Sequence, residues 1–271
     1  MSEPTTTGAE PGTPRFCGAC GTPLDTGLCP ACLPAPSGGE LEERVGRARR
    51  SVSAGRLFNR ALMTYVLFLL VSMAAVIGVT AFAEDDGLPI VAWIEILAMG
   101  LQAAIAVLML CLTWPQVRAS FTTLPRWTWF AGAAAGGLGT FVLATLLILP
   151  WQWALGAEEL RYSDPFLAAG MGWAVVVASI AIHPAIVEEA AFRGIIQGSL
   201  QSLLRPWEAI VVGAVLFAIL HLSPAAFPHL LIMGLALGWA RERCGSIYPG
   251  VVLHAVHNGL CIADEAFGFG V

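Results

Sequence analysis

The chain is expected to fold as an all-α bundle of membrane-spanning helices with a small polar arm at its N-terminus. Three observations point there. Its 271 residues are 57% hydrophobic and only 12% charged, about half the charge of an ordinary soluble domain. The uncharged apolar run from Ala61 to Phe82 would rise roughly 33 Å as a helix, enough to cross the hydrocarbon core of a bilayer. No segment has the period-two alternation of a membrane barrel, and helices and closed barrels alone satisfy their backbone in lipid. Mean hydropathy is +0.74. The net charge of −5 says less about partners than the positions of the charges do.

The polar arm, residues 1 to about 56, is rich in Pro, Gly, Thr and charge, and no apolar signal-peptide core opens it. It contains Cys17-x-x-Cys20 and Cys29-x-x-Cys32. Two such turns can present four thiolates to one tetrahedral zinc ion, and so short a stretch would draw its folding energy from that metal. Two disulfides, or four solvated cysteines in a disordered arm, are the alternatives. A cytoplasmic location argues against disulfides. Residues 1–36 are therefore expected to form a Zn2+-binding ribbon, a place where a protein partner would dock. Residues 37–56 are expected to form a linker and Arg-rich juxtamembrane segment, and residues 57–271 the membrane-embedded domain.

Seven spans are expected, within a range of six to eight, over about 61–83, 90–114, 129–150, 166–200, 208–223, 225–241 and 247–266. The fourth is too long for one straight span and is expected to break near His183-Pro184, because proline removes a backbone donor. The fifth is short and ends at Ser223-Pro224. Arg44, Arg47, Arg49, Arg50, Arg56 and Arg60 crowd the approach to the first span, which puts the N-terminus in the cytoplasm; the plasma (inner) membrane is the expected location. Acidic Glu84-Asp85-Asp86 then lies outside, Arg118 and Arg126 inside, and Arg205, Arg241 and Arg243 inside again. Glycines around Gly132–Gly139 and at Gly234 and Gly238 are expected to be close-packing faces between helices. Cys111, Cys244 and Cys261 are expected to be small packing residues.

The apolar stretches carry polar residues where hydrocarbon is expected. Glu188, Glu189 and Arg193 fall in one, His221 in the next, His254 and Asn258 in the last. A charge at the bilayer centre costs at least a few kcal/mol, so such residues face a bundle interior and mark a site. Glu189 and Arg193 are four apart with the acid first, the favoured order for a helical ion pair. Glu188 is turned about 100° away and is free to act as a general base. Phe217 with His221, and His254 with Asn258, repeat the four-residue spacing, so each pair shares one helical face. Counted from the expected cytoplasmic boundary, Glu188, His221, His254 and Asn258 lie at overlapping depths of roughly 12 to 22 Å.

Glu188-Glu189-x-x-x-Arg193, Phe217-x-x-x-His221 and His254-x-x-x-Asn258 together resemble the motifs of the CPBP intramembrane proteases, which include the CAAX prenyl endopeptidases and the bacteriocin-processing, Abi-type proteins. The resemblance covers about residues 166–262, the expected catalytic core. It implies that Glu188 and His221 activate the attacking water, that His254 and Asn258 hold the oxyanion, and that Glu189, Arg193 and Phe217 give structural support. The chain would then be an intramembrane endopeptidase, its partners the lipid bilayer and a peptide or membrane-protein substrate, with no nucleic acid. Members of the family have been described as metalloproteases, and Glu188, His221 and His254 could ligate a catalytic zinc. The His-Glu-x-x-His helix of common zinc peptidases is absent, and a metal-free glutamate mechanism is the reading adopted.

Two other classes compete with an enzyme. The polar set could be a hydrogen-bond network that only specifies packing, in a catalytically inactive scaffold or adaptor. An ion-coupled transporter would also use intramembrane Glu and His, but no repeated half is visible in the sequence. His183, next to Pro184, reads as a kink-site residue, and His229 and His257 complete no motif.

Overall fold

The computed structural model describes residues 15–16, 23–24, 38–82, 87–155 and 161–268, with side chains over 54–82, 87–147 and 161–268. Its contacts divide into two units, Met1–Ser53 and Ala54–Val271. In the first, strands β1 (Arg15–Phe16) and β2 (Pro23–Leu24) pair antiparallel, with Arg15 opposite Leu24 and Phe16 opposite Pro23. The expected zinc ligands Cys17, Cys20, Cys29 and Cys32 lie outside the described residues.

The second unit is helical, as the apolar runs demand. Its elements are α1 (Gly38–Ala81, from Ala54 on), α2 (Leu88–Thr122), α3 (Trp127–Leu155), α4 (Asp164–Ala168), α5 (Trp173–Leu200), α6 (Pro206–Leu220), α7 (Phe227–Cys244) and α8 (Tyr248–Phe267). Among the described residues, four stretches are long and apolar enough to cross a membrane by length and composition alone: Ala54–Ala81, Leu88–Thr122, Trp127–Leu147 and Trp173–Leu200. The helix α6 is apolar but has only 15 residues. The last two, of 18 and 20 residues, carry Arg241, Glu242 and Arg243 in α7 and Asp264 and Glu265 in α8. The chain is an integral membrane protein.

Two expected boundaries move. Pro115 does not end the second span: α2 runs through it to Thr122. The expected fourth span does break, but ahead of the proline. The chain turns at Gly170, which has φ +75, between α4 and α5. Glycine takes this left-handed conformation without a Cβ penalty. From Trp173, α5 then runs on through His183-Pro184 by widening into π-helix at Val177–Ile182 and again at Ala190–Ile196. Such widened turns are rare and concentrate at functional positions.

The centre of the bundle is α5, which packs against α2, α6, α7 and α8. Over Ala191–Gln197 every residue is buried, as a helix surrounded by neighbours requires. Lipid tails are as apolar as leucine, so close van der Waals fit rather than hydrophobicity must hold such helices together. The glycines supply that fit. A Cβ on Gly137 of α3 would stand 2.7 Å from the Leu253 carbonyl oxygen of α8, and one on Gly234 of α7 would stand 2.9 Å from Ala214 Cα of α6. Gly238 lies against Ile210 and Gln197, whereas Gly132 and Gly139 face open space. Among the three described cysteines, Cys111 is exposed rather than packed.

Polar ties close both ends of the bundle. At one end, Arg241 reaches Ser120 Oγ at 3.1 Å and also bonds Gln201, which in turn bonds Glu242. Tyr248 donates its hydroxyl to the Phe121 carbonyl at 2.7 Å. At the other end, the Glu265 carboxylate accepts the backbone N–H groups of Tyr162 and Ser163 at 3.0 and 2.9 Å.

Candidate active site

The three motif helices are α5, α6 and α8, and their polar faces meet around Phe217. That ring is fully buried and lies edge-on to three others. The centroids of Phe192, His221 and His254 stand 5.3, 4.9 and 5.9 Å away. The Arg193 guanidinium lies over it at 4.9 Å. Tyr65 of α1 closes the stack against Phe192 at 6.4 Å. Phe217 thus spaces the two imidazoles.

Glu189 and Arg193 are 0% and 1% exposed. Arg193 Nε stands 3.4 Å from Glu189 Oε2, and His254 Nδ1 stands 3.5 Å from Oε1. These are ion-pair approaches, not hydrogen bonds: both Glu189 oxygens, Arg193 Nε and His254 Nδ1 are buried and make none. Gly250, one turn before His254, permits the arrangement, because a Cβ there would stand 2.6 Å from Glu189 Oε2. The carboxylate is therefore shared between its own helix and α8, which the four-residue spacing to Arg193 did not reveal. Gly250 carried a legible signal, lying four residues from His254 on the same face.

Glu188, the residue before this pair, is part-exposed. Its Oε2 makes no hydrogen bond. His221 is exposed and lies just past the end of α6, where its Nδ1 approaches the Phe217 carbonyl oxygen at 2.9 Å. The next residue, Leu222, has φ 52, a left-handed conformation costly for any residue with a Cβ. This turn stops α6 at the histidine. Backbone held in a sparsely populated region recurs at functional sites.

Asn258 Nδ2 donates to the Ile180 carbonyl at 3.0 Å. The reason lies in α5: Pro184 has no N–H, so the carbonyl four residues back lacks its α-helical donor, and Asn258 supplies one from α8. The amide has a second N–H, which this bond leaves to the site.

Next to these residues, His257 Nδ1 lies 3.1 Å from Thr140 Oγ1, and its ring stacks on His229 at 6.1 Å. Glu188, His221 and His254, the set that could ligate zinc, do not make a donor cluster: among the described residues no three His, Cys, Asp or Glu side chains converge in a metal-binding arrangement.

No curated protein and no solved structure matches the chain. A family model does, that described as Rce1-like, type II CAAX prenyl endopeptidase Rce1-like, over residues 167–260. The matched stretch contains all three motifs and most of the helices that bear them. Residues 167–260 thus match a model of the CAAX protease (CPBP) family, the family that the motifs resemble.

Proposed function

We propose that the chain is an intramembrane endopeptidase that hydrolyses peptide bonds of membrane-associated or peptide substrates. Glu188 and His221 activate the water. His254 and Asn258 donate to the oxyanion of the tetrahedral intermediate. Glu189, Arg193 and Phe217 hold α5, α6 and α8 in register. The observation that carries this reading is the coincidence of the family match over 167–260 with one buried cluster joining Glu189, Phe217 and His254 across the motif helices. The chemistry is adequate. A positioned base contributes about 10²–10⁴-fold, and one oxyanion donor about 10²–10³-fold.

Around this core, residues 1–36 form a cytoplasmic ribbon holding structural Zn2+ on Cys17, Cys20, Cys29 and Cys32, with a protein partner as its natural contact. Residues 37–56 link it to a domain in the plasma membrane; the arginine pattern before the first span supports an N-terminus inside.

The test is cleavage of a membrane-adjacent peptide by the protein in lipid nanodiscs. Glu188→Ala and His221→Ala are expected to fold and lose cleavage. A second reading, an inactive scaffold whose polar network specifies packing, is favoured by one observation: the Asn258 amide is engaged with the Ile180 carbonyl. It prevails if the parent protein cleaves nothing and both variants fail to fold.

A further inference from the structure

The buried carboxylate of Glu189 touches two helices, and each contact faces a nitrogen. Arg193 can only donate, and it takes Oε2. His254 Nδ1 is buried without a hydrogen bond, and Oε1 at 3.5 Å is the acceptor it faces. Closing that approach by roughly 0.6–0.8 Å would make a charge-assisted bond of ordinary length. Gly250 is a separate sign that the approach is built in, since any side chain there would push Oε2 away.

We infer that Glu189 is a positioning residue for His254: it holds a proton on Nδ1, so that Nε2 is the atom the ring turns to the reacting groups. This rests on the reading of the site as hydrolytic, but the proton's position can be observed without any cleavage. The consequence is chemical. With Nδ1–H committed to Glu189, the ring can donate from Nε2 only when it carries both protons, and Glu189 then supplies the counter-charge. His254 acts on an oxyanion as a charged donor, the stronger kind.

Replacement of Glu189 by Gln makes a specific reversal. Arg193 still demands an acceptor, so the Gln oxygen turns to it and the Gln amide nitrogen turns to His254. Nδ1 must then accept, and the proton moves to Nε2.

The experiment is nitrogen-15 NMR of the full chain, histidine-labelled, in lipid nanodiscs, with the His254 signals assigned by their loss in His254→Gln. The parent is expected to carry a proton on Nδ1, and Glu189→Gln to carry it on Nε2 alone. A peptide-cleavage assay on the same samples is expected to lose about tenfold in kcat with KM changed less than about twofold, since a charge-assisted donor has become a neutral one. A parent protein with its proton on Nε2 alone overturns the inference, and so does Glu189→Gln with Nδ1 still protonated. If Glu189→Gln does not fold, the parent spectrum decides. If the parent cleaves nothing, the hydrolytic reading fails while the spectra still test Glu189.

Discussion

Gly250 faces Glu189 so closely that a methyl group on it would stand 2.6 Å from the carboxylate oxygen Oε2. The carboxylate cannot simply swing aside, because it is fully buried with Arg193 on one side and His254 on the other. Gly250→Ala is therefore expected to cost about 1–3 kcal/mol of stability, as overpacking generally does. It should also lower peptide cleavage by at least about tenfold, since misplacing a catalytic group by about 1 Å is enough for that. Thermal unfolding and initial cleavage rates check it, and an unchanged rate would mean that the contact is slack.

Arg193 is 1% exposed and compensates a carboxylate that no water reaches. Removing one partner of a buried pair leaves an unpaired charge and costs about 3–5 kcal/mol, whereas replacing both with apolar side chains is often neutral. Arg193→Leu is expected to destabilise by that amount, and the double variant Arg193→Leu/Glu189→Leu to regain most of it. Both are measured by unfolding in detergent.

Pro184 and Asn258 are coupled through the Ile180 carbonyl, which one deprives of a donor and the other supplies. In the parent, Asn258→Ala should cost about 1 kcal/mol for the part-buried acceptor left without that donor. In a Pro184→Ala background the helix provides its own N–H, and the same substitution should cost less. A double-mutant cycle with a coupling energy of at least about 0.5 kcal/mol is expected. Additivity would contradict the assignment.

In the N-terminal arm, Cys17, Cys20, Cys29 and Cys32 are expected to bind about one zinc per chain. Metal analysis of the full chain should find it, and Cys20→Ser should remove it. Zinc retained in full by a chain lacking residues 1–56 would place the metal elsewhere.

Much of this architecture was legible because lipid imposes a simple rule: apolar runs become helices, and polar residues inside them must find one another. Ala61–Phe82 announces α1, and the four-residue spacing of Glu189 with Arg193 announces their pair. What the local pattern missed depends on contacts between distant helices. A rule that ends helices at proline stops α5 near Pro184, but Asn258 on α8 and a widened turn let it continue. The second span, expected to end near residue 114, also runs on, because α2 absorbs Pro115. Spacing along α5 assigns Glu189 to Arg193 alone, since nothing in that helix announces His254 or the gap that Gly250 leaves. His221 reads as one member of a helical face, yet the chain turns at Leu222 directly after it, a non-glycine residue in a glycine's conformation.

Glu188, whose buried Oε2 makes no hydrogen bond, is proposed to activate water for peptide hydrolysis. The most direct measurement is cleavage of a membrane-adjacent peptide in oxygen-18 water, by the parent and by Glu188→Gln of equal thermal stability. One oxygen-18 atom is expected in the newly formed carboxylate, with a fall in kcat of at least about 10²-fold in the variant. Cleavage by Glu188→Gln at the parental rate would contradict it.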